Sequence, residues 1–343
     1  MMPAPTLTED PGIQTSPWNS RDSLALSSLL ALAAALVARS WLKWPDPQID
    51  FGRELYVAWR LSLGDLPGKD VPLEFGPLSP HVNALWFLLW GPSVTALVSL
   101  NLLAYTAILT LVYWLVRQGW GTLGASFGSA VFVVVFSFGH YLPVGNYTYA
   151  APYSHEATHG MGACLFLAAM LLKHCQRPRS WTAGAAGCAL GVLSLLKVEF
   201  LFAALGLLAC RGLLSWLVAD SGSLHPRWIP AFVAGAAAPT VLCLGYLLLR
   251  LPPSAAYAVS LRVPRALADL LVWQGPLRAS QNAVWARVEA RQMGVDHAYA
   301  GALSTLQATT LALALVAGCL FLVRWSERRW LRAWKGASAA VRY

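Results

Sequence analysis

Charge is what this sequence has least of. Only 12% of its 343 residues are Asp, Glu, Lys or Arg, about half the share found in soluble domains. With 57% hydrophobic residues and a mean hydropathy of +0.53, the shortage excludes an ordinary soluble globular chain and predicts an integral membrane protein. Paired cysteines are missing too. Cys164, Cys175, Cys188, Cys210, Cys243 and Cys319 stand in or beside apolar segments with no C-x-x-C pair. That pattern argues against a disulfide framework or a zinc ribbon and leaves them as small buried hydrophobes. No internal repeat is visible, and no cleavable signal peptide is recognised. The first apolar stretch follows a polar leader and is long enough to span.

The charge that is present leans positive, with a formal net charge of +9. The basic residues punctuate the ends of apolar spans instead of forming a run, so a positive-inside bias accounts for them without nucleic acid. Sixteen Trp and eleven Tyr suit interfacial belts as well as packing.

The expected fold is an all-α polytopic membrane protein with about eight transmembrane helices, plus interfacial helices in its first outer loop. Residues 1–22 read as a disordered cytoplasmic leader, 23–323 as the transmembrane domain and 324–343 as a basic cytoplasmic tail. The expected spans are 23–42, 95–116, 121–139, 160–172, 181–196, 200–218, 228–249 and 301–323. His81 to Trp90 is apolar but too short to cross and reads as an interfacial or re-entrant helix. Arg117, the Lys173–Arg179 cluster, Arg227 and the basic tail then share one side. That side is assigned to the cytoplasm with both termini. Outer loops 43–94, 140–159 and 251–300 lie opposite, consistent with a bacterial inner membrane.

The most charged stretch runs from Asp46 to Pro80. Asp50, Arg53 and Glu54 stand at i, i+3 and i+4, so a helix projects all three from one face. Phe51, Leu55, Ala58 and Trp59 fall largely on another, as in a helix lying on a membrane surface. Such a set is either a solvated charge stripe or a site, in which Asp50 takes a proton from an acceptor and Arg53 holds a phosphate oxygen. Lys197-Val198-Glu199 joins two spans with almost no loop. A charge pair there either snorkels or lines a polar cavity, with Lys197 as a second phosphate cation.

His155-Glu156-Ala157-Thr158-His159 matches H-E-x-x-H, the zinc-binding helical motif. An intramembrane zinc protease of the site-2 type needs a later Asp-Gly ligand, and no Asp-Gly dipeptide exists in this chain. The preferred reading puts His155, Glu156 and His159 on the same outer cavity as Asp50. Asn146-Tyr147-Thr148 is a formal glycosylation sequon. Arg262, Arg265, Arg278, Arg287 and Arg291 in the last outer loop either cap that cavity or form a solvated face.

Together, Asp50-x-x-Arg53, the following aromatic, Gly64, the Gly76-Pro77-Leu78 element, the short apolar helix ending at Gly91, and Leu195-Leu196-Lys197 resemble the C-type membrane glycosyltransferases. The resemblance is to the bacterial relatives of protein O-mannosyltransferases and of the lipid A aminoarabinose transferase. Phe75-Gly76 stands where the family carries a lysine, and Glu54 replaces a family tyrosine.

The resemblance implies a sugar donor on a polyprenyl monophosphate, a lipid, glycan or protein acceptor, and inversion at the anomeric carbon. It makes Asp50 the base, supported by Glu54, and Arg53 a phosphate ligand. Lys197, Glu199, His155, His159 and Tyr153 complete the expected substrate-binding set. No organic cofactor is called for, and a divalent cation is compatible with the set. The alternative is a lipid or solute transporter or flippase without covalent chemistry.

Overall fold

The computed structural model describes residues 17–41, 50–138, 148–218 and 228–271, except the side chains of 50, 213–218 and 269–271. Their regular structure is all helical, with no strand among the described residues: α1 (Ser20–Ser40), α2 (Asp50–Ser62), α3 (Leu78–Trp90), α4 (Val94–Val131), α5 (His155–Gln176), α6 (Ser180–Leu193), α7 (Val198–Val218), α8 (Ile229–Leu248), α9 (Pro253–Ser260) and α10 (Arg262–Leu271). A π-helical turn, Phe132–Ser137, continues α4. Among the described residues, three segments are long and apolar enough to cross a bilayer: Ser20–Ser40, Val94–Ser137 and Ile229–Leu248. The eighth expected span, the leader before residue 17, the basic tail and the sequon's Asn146 and Tyr147 lie outside the described residues.

α1 starts inside the stretch expected to be a leader. Asn19 accepts from the backbone of Arg21 and Asp22, and Asp22 accepts in return from Asn19 N–H at 3.0 Å. This capping box satisfies donors that the first turn leaves open. Asp22 is fully buried. Its Oδ1 accepts from Arg117 Nε at 2.7 Å, Thr122 Oγ1 at 2.7 Å and Tyr113 OH at 3.1 Å. The cluster ties the start of α1 to the middle of α4.

α4 is not straight. Gly121 has φ +66°, a left-handed conformation open to glycine. Tyr105 and Phe138 are 33 positions apart, about 50 Å along a straight helix, yet their rings are 5.9 Å apart. The chain therefore reverses at Gly121, and the two arms lie side by side. Leu29, Ala33, Tyr105, Ile108 and Phe138 pack between α1 and these arms.

α6 and α8 approach backbone to backbone. A Cβ on Gly187 would lie 2.0 Å from Phe232 O, and one on Gly235 would lie 2.1 Å from Gly184 O. Small residues at a helix crossing are the usual means of close packing in lipid. α8 is strongly apolar yet mostly uncovered, with Val241, Leu242 and Leu249 exposed, the surface a lipid-facing helix presents. α3 likewise exposes Leu85, Leu88, Leu89 and Trp90. Its 13 residues extend about 20 Å, short of a bilayer core of about 30 Å.

The described part of the expected outer segment 251–300, residues 251–271, contains two helices, α9 and α10. Val263 and Leu267 of α10 bury against Leu201 of α7. That period places the helix on the bundle and turns Arg262 and Arg265 away from its apolar face.

Candidate functional site

Glu74-Phe75-Gly76 is held at the corner between α6 and α7. Gly76 N–H donates to Leu196 O at 2.8 Å and Leu78 N–H to Leu195 O at 3.1 Å. The contact requires glycine: a Cβ on Gly76 would lie 2.1 Å from Leu195 O. Arg262 Nε donates to Glu74 O at 3.0 Å, fastening the segment's other side to α10. This short segment thus divides two cavities.

The first cavity is lined by Arg53, Glu54, Glu74, Gly76, Pro80 and Glu156, among others. Its volume of about 20 Å³ holds about one water. Glu54 and Glu156 are both buried, and their carboxyls lie within hydrogen-bonding reach of each other. Burial pushes the Glu54 carboxyl up, the Glu156 charge adds to this, and Arg53 only partly opposes it, so the pKa reaches about 8. The pair therefore holds a proton at neutral pH, the behaviour of two carboxyls sharing one desolvated site. Arg53 Nη2 lies 2.9 Å from Glu54 Oε1, and its Nη1 is paired with the half-exposed Glu74 carboxylate. Both ends of the guanidinium fork thus carry a carboxylate.

The second cavity, about 430 Å³, is lined by Phe75, Lys197, Val198, Arg262, Val263 and Arg265, among others. Phe75 forms the wall between the two. Lys197 Nζ sits 4.3 Å from its ring centroid and Arg53 Cζ 5.6 Å, a cation–π arrangement. Lys197 is mostly buried, and its ion pair with the exposed Glu199 is long at 3.6 Å.

The expected site residues thus separate into groups. Arg53, Glu54 and Lys197 come together around Phe75. Glu199 touches the site only through Lys197. Asp50 is the first residue of α2, and its side chain lies outside those described. Of the H-E-x-x-H set, only Glu156 lines the first cavity. His155 is buried behind it, with Asn83 Nδ2 at 3.0 Å from Nδ1 and Asn101 Nδ2 at 3.4 Å from Nε2. His159 Nδ1 is 2.8 Å from Ser79 Oγ, and Tyr153 is exposed before α5. None of these three lines either cavity; His155 joins α5 to α3 and α4, and His159 joins α5 to α3. Both ring nitrogens of His155 face asparagine amides, and no group of three His, Cys, Asp or Glu side chains among the described residues could hold a metal ion.

Sequence reasoning placed Glu156 on the cavity, missed Glu74 there, and left Arg262 and Arg265 undecided. The usable signal was the alternation of Arg262 and Arg265 with Val263 and Leu267, which marks one basic and one apolar face. Comparisons with protein-family models, curated proteins and solved structures find no match to the chain.

Proposed function

We propose that this chain is an integral-membrane glycosyltransferase that moves a sugar from a polyprenyl-phosphate donor to a lipid, glycan or protein acceptor. The reading takes the chain as an eight-span protein of a bacterial inner membrane, with both termini cytoplasmic and the site on the extracytoplasmic face. One observation carries it: a buried carboxyl pair, Glu54 with Glu156, lies across the Phe75 ring from Lys197.

That juxtaposition provides both halves of an inverting transfer. A deprotonated carboxylate of the pair takes the acceptor's proton as the acceptor oxygen bonds to the anomeric carbon. The bond from that carbon to the phosphate oxygen breaks, its electron pair leaves with the polyprenyl phosphate, and Lys197 stabilises the charge that develops. Arg53 orients Glu54 and opposes the rise in its pKa. Asp50, one helical turn before Glu54 on α2, is the second carboxylate suited to the base role, and a substitution at each separates them.

The test incubates membranes carrying the full chain with radiolabelled polyprenyl-phosphate sugars. Glu54→Gln is expected to abolish transfer with membrane insertion intact. Transfer unchanged in Glu54→Gln but lost in Asp50→Asn would move the base to Asp50. Lipid movement across the bilayer without sugar transfer would replace the enzyme with a flippase.

A further inference from the structure

We propose that the pocket between Phe75, Lys197, Arg262 and Arg265 is a phosphate-binding site, and that Arg53 is not a ligand of that phosphate. The proposal deepens the transferase reading and rests on it only for the source of the phosphate, a phosphoester borne on an apolar chain.

Arg53 is occupied. Its two terminal nitrogens face the carboxylates of Glu54 and Glu74, and its plane lies near Phe75. A phosphate reaching it would have to displace a carboxylate inside a cavity with room for about one water. The other side of Phe75 differs in room and in charge: Glu74 borders it as well, but its carboxylate is paired with Arg53, and the Lys197–Glu199 pair is long. Lys197 and the exposed Arg262 and Arg265 line one volume of about 430 Å³, within the usual range for ligand pockets. Arg262 uses only Nε internally, on Glu74 O. Among the described residues, no carboxylate lies within ion-pair distance of Arg262 or Arg265.

Three cationic side chains from two elements around one cavity suit an anion with several oxygens. The rest of the wall identifies what the anion is attached to. Val198, Ala258, Val263 and Ala266 line the same pocket, so an aliphatic group beside the phosphate meets apolar surface. That combination fits an amphiphilic phosphoester better than a bare ion.

Binding is measured without transfer, on the full chain in lipid nanodiscs, by calorimetric titration with farnesyl phosphate, farnesol and inorganic phosphate. Farnesyl phosphate is expected to bind, and farnesol to bind about tenfold more weakly or worse. Arg262→Gln and Arg265→Gln are each expected to weaken farnesyl phosphate about tenfold, the scale of a lost charge-assisted hydrogen bond. Arg265→Lys should recover part of the loss, which misfolding would not allow. Arg53→Gln should leave the affinity within about twofold.

Inorganic phosphate binding as tightly, with the same arginine dependence, supports the anion site and assigns it to a soluble phosphate. Loss of binding in Arg53→Gln with none in the α10 variants overturns the proposal, as does equal binding of farnesol. Arginine-dependent binding in a protein that transfers no sugar would refute the transferase reading alone.

Discussion

Glu54→Gln tests the buried carboxyl pair through stability, independently of any substrate. The folded protein raises the Glu54 pKa from 4.5 to about 8, so the native state binds this proton more tightly than the unfolded chain does. Its contribution is therefore complete below pH 4.5 and declines as pH rises towards about 8, above which the ionised carboxylate sits buried beside Glu156. Inside that window the slope is about 1.4 kcal/mol per pH unit. Raising the pH from 6 to 8 then removes on the order of 3 kcal/mol. Glutamine has the same shape and cannot ionise. Denaturation midpoints of the detergent-solubilised chain, followed by tryptophan fluorescence between pH 6 and 9, should fall with pH for the native sequence and stay nearly level for Glu54→Gln. The two curves should cross, with the variant the more stable at pH 9. Parallel curves would refute the reasoning, since Glu54 would then titrate as an ordinary exposed carboxyl.

The same titration predicts that sugar transfer by the native protein increases as pH rises through about 8, because the base form accumulates there; a flat rate profile in the radiolabel assay would contradict it. Gly76→Ala forces a methyl onto Leu195 O and should abolish ligand binding while the protein still inserts, as checked by membrane fractionation and farnesyl phosphate titration. Gly187→Leu separates α6 from α8 and should destabilise by about 2 kcal/mol or more, read as a lower denaturation midpoint. Asp22→Asn removes the charge on which Arg117, Thr122 and Tyr113 converge and should lower the denaturation midpoint. Adding Arg117→Met should recover most of that loss in the same denaturation assay.

Local patterns in the chain predict the elements whose determinants are local. The i, i+3, i+4 charges and the opposing apolar residues mark the helix α2, the short apolar run ending at Gly91 gives α3, and Gly121 separates two apolar arms. Burial of charge is another matter. Glu54 reads as one member of a stripe on α2, and nothing within α2 reports that α5 brings Glu156 against it. Asp22 reads as the end of a polar leader, because its anchor Arg117 lies 95 positions away. The histidines illustrate the converse: the five-residue motif is local, whereas the partners of its rings, Asn83, Asn101 and Ser79, come from other helices. The two arginines of α10 join Lys197 only once Val263 and Leu267 have seated the helix on α7.

The stapling of Gly76 and Leu78 to the α6–α7 corner makes the dividing wall a rider on the bundle. Carbonyls at the end of a helix lack partners within that helix, and here Leu195 and Leu196 find theirs in the loop. A tilt of α7 would therefore drag the Phe75 ring with it, changing its reach to Arg53 on one side and Lys197 on the other in a single motion. Proton-handling and charge-holding compartments linked in this way would respond to one mechanical input, delivered through two backbone hydrogen bonds.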